Sequence, residues 1–98
     1  VEDMPQFPGG EQALMQYLAK VPYPSIAVEN DIEGTVFIRY VVDKTDNVIN
    51  VTVAKGSNRI LNEAALEHVK KMPKWSPGKQ RGKPVKVQYV VPIRFTLQ

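Results

Sequence analysis

Few residues in this chain have the types and spacing that could do chemistry. His68 is the single histidine and no cysteine accompanies it, so neither a Cys–His dyad nor a multi-histidine metal set can form around it. It lies mid-helix among charged residues and reads as a surface or half-buried helix position. Gly78-Lys79-Gln80-Arg81-Gly82-Lys83 has the outline of a phosphate loop. It is one residue short of the required spacing, lacks Ser or Thr after the lysine, and leads into a strand rather than a helix. Asp43 and Asp46 flank a turn, where carboxylates brace the bend, and no Gly-rich twelve-residue calcium loop surrounds them. Asn50-Val51-Thr52 matches a glycosylation acceptor but falls within a strand. Trp75, Tyr23, Tyr40 and Tyr89 invite comparison with a stacking platform for nucleic acid. Tyr89 shares its face with Val87 and Val91, however, and Tyr40 shares its face with Val36 and Ile38, which makes them core positions first. No catalytic, cofactor-binding or metal-ligating constellation follows, and the expected function is binding, not catalysis.

The elements that must position any binding surface belong to one small domain spanning residues 1–98. No run approaches the roughly 20 apolar residues of a membrane span, and Val1 does not begin a signal peptide. Eight prolines and six glycines exclude one long helix or a coiled coil. Charge is unevenly spread. Residues 1–67 hold ten acids against five cations, and residues 68–98 hold eight cations and no acid. That split allows two readings of the C-terminal third: an anionic partner, or lysines that keep a strand edge soluble.

Residues 1–9, with Pro5, Pro8 and Gly9, read as an extended N-terminal segment. Ala13, Leu14, Tyr17 and Leu18 form one face of a helix over 10–20, with Glu11 in its first turn and Lys20 in its last. Pro22 and Pro24 stop it, and Ser25 could cap a further short turn reaching Asn30. Residues 34–43 form a strand with Val36, Ile38, Tyr40 and Val42 on one face and Phe37 and Val41 on the other, which suits a central strand. Asp43 to Asn47 turn the chain into a returning strand over 48–55. A helix over 59–72 buries Leu61, Ala64, Ala65, Val69 and Met72, with Asn58 or Asn62 as its N-cap. Residues 73–84 read as a loop.

The last segment alternates strictly from Val85 to Leu97, thirteen residues of period two, against about five or six in a typical strand. Pro92 cannot donate to a ladder, so this strand belongs at a sheet edge. A hairpin, a crossover helix and a third strand put that strand either parallel to the second or antiparallel to the first. The central character of residues 34–43 favours the latter. The expected architecture is α+β: three antiparallel strands in order 2-1-3 with two helices on one face. An exposed edge of this kind supports strand addition by a partner peptide; Pro92, Lys86 and Arg94 could equally protect it.

Taken together, these residues resemble the C-terminal domain of the TonB family, a TonB/TolA C-terminal-like fold. The resemblance runs through Tyr23-Pro24, Ala27, Ile32-Glu33-Gly34, the Val36/Ile38/Tyr40/Val42 alternation, Val48, Val51 and Val53. It continues through Ala64-Ala65-Leu66, Trp75-Ser76-Pro77-Gly78 and Val91-Pro92-Ile93-Arg94-Phe95, and Met4-Pro5-Gln6-Phe7-Pro8-Gly9-Gly10 is similar to the Bacteroidetes form. It implies a periplasmic domain of an inner-membrane-anchored protein in a Gram-negative bacterium, with no cofactor. Its implied partners are TonB-dependent outer-membrane transporters, which offer a short TonB box segment to the last strand, and an ExbB/ExbD-type motor reached through upstream parts of the protein. Homodimers are implied as well; nucleic acid is not. The partner-contacting positions it implies are Lys20, Val21, Pro22, Tyr23 and Pro24, then Val85, Lys86, Val87, Gln88, Tyr89, Val90, Val91, Pro92, Ile93 and Arg94. Two departures stand out: Asn47 where the family's hairpin turn carries Gly, and Asn62 where its helix begins with Asp. The family's anchor helix and Pro-rich spacer are expected upstream of Val1. Two alternative functions are a basic module binding an anionic polymer (peptidoglycan or nucleic acid) through Lys70–Lys86, and a sensory TonB-like module fused to a membrane receptor or peptidase.

Overall fold

A computed structural model describes residues 4–76 and 78–97, the side chains of 78–80 excepted. Pro77, Gln98, the first three residues and the Lys79 side chain, which enter the readings above, lie outside the described residues. Among the described residues there are three helices, α1 (Glu11–Ala19), α2 (Ser25–Glu29) and α3 (Arg59–Lys70). The strands are β1 (Gly34–Val42), β2 (Val48–Lys55), β3 (Gly78–Gln80), β4 (Lys83–Val85) and β5 (Val87–Phe95).

The main sheet is antiparallel with order β2-β1-β5, the topology expected with β5 as the third long strand. Alternation explains its asymmetry. Val36, Ile38, Tyr40 and Val42 of β1 and Val91, Ile93 and Phe95 of β5 are buried, where they meet Leu18, Ala27, Leu61, Ala65 and Val69 of the helices. The opposite face carries no buried residue. Phe37 and Val41, expected to be covered on their side, are half-buried with no helix over them.

Several local readings are corrected. The loop over 73–84 contains a small hairpin, β3 paired with β4. Arg81 (φ 54°) and Gly82 (φ 77°) form its turn, and paired left-handed residues match the twist of a two-residue hairpin. The thirteen-residue strand is interrupted at Lys86 and ends at Phe95; alternation persists through such a break because it records burial, not pairing. In the β1–β2 turn Asp46 takes the left-handed conformation (φ 73°). Pro24, not Ser25, stands at the N-cap of α2, and no side chain caps it. Lys20 is the C-cap of α1 and not part of its last turn. Asn58 caps α3, its Oδ1 accepting from the Ile60 N–H at 2.8 Å. Asn62 Oδ1 instead accepts from the Ser57 N–H at 2.9 Å, securing the approach to the helix. Glu67 pairs with Lys70 at 3.9 Å.

The N-terminal segment is tied down. Gln6 and Ser76 exchange both backbone hydrogen bonds at 3.0 Å, and Phe7 is buried against the rings of Tyr17 and Trp75.

Candidate functional site

The implied partner positions separate into two groups. Val87 to Arg94 run along β5, Val85 ends β4, and Lys86 stands exposed between the two strands. Val87, Tyr89, Val91 and Ile93 face the helical layer, whereas Gln88, Val90, Pro92 and Arg94 are exposed. Tyr89 is held among Tyr40 and Trp75, with centroid distances of 5.9 and 5.5 Å. Its hydroxyl donates to the Pro5 carbonyl at 3.3 Å, and burial raises its pKa.

Both long edges of the sheet are without a neighbouring strand among the described residues, but their regularity differs. β5 pairs with β1 over nine consecutive positions, from Gly34 opposite Phe95 to Val42 opposite Val87, with no register shift. β2 shifts register twice against the same strand. Between Arg39 and Val41 it spends three residues, Thr52 to Ile49, against β1's two steps, and Asn50 there has φ 54°. An extra residue in the left-handed conformation is a β-bulge, which bends the strand and spoils it as a template.

The second group, Lys20 to Pro24, joins α1 to α2. Tyr23 reaches β5, its ring edge-on to Phe95 at 5.4 Å, while its hydroxyl donates to the Ile32 carbonyl. Burial, with Glu33 and Asp31 nearby, raises the Tyr23 pKa. Val21 packs onto the core and Lys20 is exposed. Pro22 and Pro24 turn elsewhere: they line a groove of about 270 Å³ against Ala64, Glu67, His68 and Lys71 of α3 and its C-cap. The linker therefore meets β5 through Tyr23 and α3 through its prolines.

Beside that groove lies a pairing that periodicity did not reveal. Tyr17 and His68 stack at 4.2 Å. The Tyr17 hydroxyl donates to the His68 carbonyl at 2.7 Å, and His68 Nε2 lies 2.6 Å from the Tyr17 carbonyl, a contact that requires a proton on Nε2. Residues 51 apart in sequence leave no local trace of such a contact. His68 thus joins two helices as a half-buried structural residue. Tyr40 and Trp75 are buried and offer no stacking surface. Among the described residues no group of three acids or histidines gathers as a metal set.

A free, regular strand edge with a linker seated at one end is a binding geometry, and known proteins give it a context. The profile of the Gram-negative bacterial TonB protein C-terminal family matches residues 19–97. The chain belongs to this family. Two solution structures of the Helicobacter pylori TonB C-terminal domain share the fold. One, 26% identical, has a TM-score of 0.65 and an alignment covering 93% of this chain and 87% of that one. The other, a shorter fragment 27% identical, has a TM-score of 0.64 and covers 89% and 95%. No curated protein matches the chain. Membership implies TonB-like transduction of energy to outer-membrane receptors by a non-enzymatic periplasmic domain. The TonB family match begins after Leu18, so Phe7 and most of α1 contribute to the core from outside it.

Proposed function

We propose that this domain takes the TonB box segment of an outer-membrane transporter as a fourth strand on the outer edge of β5. It then passes on force generated by a proton-driven inner-membrane motor of the ExbB/ExbD type. The observation that carries this reading is the uninterrupted nine-residue register of β5 beside the twice-shifted register of β2. Strand addition needs an unbulged run of outward backbone groups, and the unshifted register of β5 favours that edge.

Pro92 sets the phase of that edge. Proline is tolerated in a strand where its nitrogen faces away from the neighbour. Backbone groups alternate sides in an antiparallel ladder, so Gln88, Val90 and Arg94 direct their N–H groups outward with Pro92. The missing donor at Pro92 discourages indiscriminate pairing while the carbonyls remain. Pull along the strands loads these bonds together, so a short added strand can carry force without any reactive group. Self-association through the same edge would compete with the transporter segment.

Titration of a TonB box peptide into ¹⁵N-labelled protein tests the reading. The amide shifts should concentrate in residues 85–94. Val90→Pro should keep the fold and weaken binding about fivefold, the equivalent of one hydrogen bond of about 1 kcal/mol. Shifts confined to β2, or to the basic hairpin, would overturn it. A second reading, binding of an anionic polymer, draws on a depression of about 480 Å³ bounded by Lys44, Arg81 and Lys83. It requires an affinity that falls steeply with salt.

A further inference from the structure

The sheet has a second surface that strand addition does not use. On the face away from the helices, registered neighbours form rows: Lys55–Phe37–Pro92, Thr52–Arg39–Val90 and Ile49–Val41–Gln88, with Arg94 opposite Thr35. None of these residues is buried, and Val90 is 48% exposed. Phe37, Val41, Ile49 and Val90 take no part in the core. The charged residues among them are Arg39, Lys55 and Arg94, all cationic. Phe37 stands at their centre. Lys55 lies directly across on β2, Arg39 is two residues along β1, and Arg94 is the diagonal neighbour on β5, each within roughly 5–8 Å by sheet spacing.

We infer that this open face is a docking surface for an acidic amphipathic helix of a partner protein. Size and charge both favour that occupant. Three strands about 4.8 Å apart present a face close to one helix diameter, about 10 Å. From Thr35 to Val41 it is about 20 Å long, the length of a helix of roughly 13 residues. Apolar side chains along one stripe of such a helix cover Phe37, Val41 and Val90, and carboxylates flanking the stripe meet Arg39, Lys55 and Arg94. A layer on each face is the common way to complete a sheet. Nucleic acid fits less well: the cations ring an apolar centre and do not follow a line that a phosphate backbone could track. The contact area is below that of a stable complex, so a transient, micromolar association is expected.

The probe is a lactam-stapled 14-residue helix with leucines along one face and glutamates beside them. Controls are the same peptide with glutamine for glutamate, a single-stranded oligonucleotide and anionic vesicles. Titrated into the labelled domain, the acidic helix should shift amides in 35–41, 49–55 and 90–94. Arg39→Glu with Lys55→Glu should weaken it at least tenfold while leaving TonB box binding unchanged, since both residues lie away from the outer edge of β5. Should that double variant lose its folded spectrum, Arg39→Gln with Lys55→Gln provides the same comparison. Equal binding of the glutamine peptide, shifts on α3 or the β3–β4 hairpin, or displacement by the oligonucleotide or vesicles would overturn the inference. Failure of the box peptide to bind would leave it standing, because the two surfaces are probed by different ligands.

Discussion

Asp43 shows how one carboxylate organises a turn. Its Oδ1 accepts from the Asn47 N–H at 3.0 Å, the Thr45 N–H at 2.8 Å and the Thr45 hydroxyl at 2.9 Å. The hydrogen bond from Asn47, with those from Thr45, holds its pKa below the ordinary carboxylate value. A native value below the unfolded one means the stabilisation is complete above the unfolded pKa, about 3.9, and fades as pH falls through the native value. Urea midpoints measured from pH 6 down to pH 2.5 should therefore fall less steeply for Asp43→Asn than for the parent; parallel curves would exclude the role. The sequence placed Asp43 in a bracing role but not its partners, since a five-residue turn can close in several ways. Tyr40 is the opposite case. Its face was legible from alternation, yet its buried hydroxyl has no hydrogen-bond partner among the described residues, and burial drives its pKa far upward. The rings of Trp75 and Tyr89 lie beside it, contacts that alternation alone does not reveal.

At the scale of elements, the two edges of one sheet differ because β2 shifts register twice against β1, and one of those shifts sits at an awkward residue. Asn50 holds φ 54°, a conformation that costs most L-residues roughly 1–2 kcal/mol and Asn and Gly less. Asn50→Gly should leave stability unchanged or slightly higher, and Asn50→Val should lower it by about 1 kcal/mol or more in urea unfolding. A fully tolerated valine would mean that the bulge can be straightened. Sequence periodicity read β2 as a plain strand over 48–55, and those bounds are the observed ones. A bulge escapes such a reading because one inserted residue is defined only against its partner strand. The edge position of β5 was legible from Pro92, because a missing donor is a property of the residue itself.

For the whole molecule, the N-terminal segment matters more than its irregular composition suggests. Phe7 is 8% exposed and lies 5.5 Å from Tyr17 and 5.7 Å from Trp75, ring centre to ring centre. Trp75 in turn meets Tyr40 of β1 and Tyr89 of β5, and its backbone N–H donates to the Asp46 carbonyl at 2.9 Å. One aromatic cluster thus joins the first described residues, α1, the β1–β2 turn and both inner strands. Phe7→Ala should lower unfolding stability by about 3 kcal/mol, measured by urea denaturation. A loss under about 1 kcal/mol would show the segment to be a loose appendage. The molecule measures 50 × 22 × 17 Å, with Lys86 alone between β4 and β5.

The amino-acid sequence by itself determined the fold class, the strand order, the buried face of β1 and the edge position of β5. Each follows from side-chain period or from the backbone chemistry of proline, which are local properties. Tertiary structure alone decided which edge is regular, where Lys20 to Pro24 make contact, how Tyr17 and His68 clasp, and that Phe37 lies uncovered among three cations. Each of those depends on register or on contacts between residues far apart in the chain, and neither leaves a mark in local spacing.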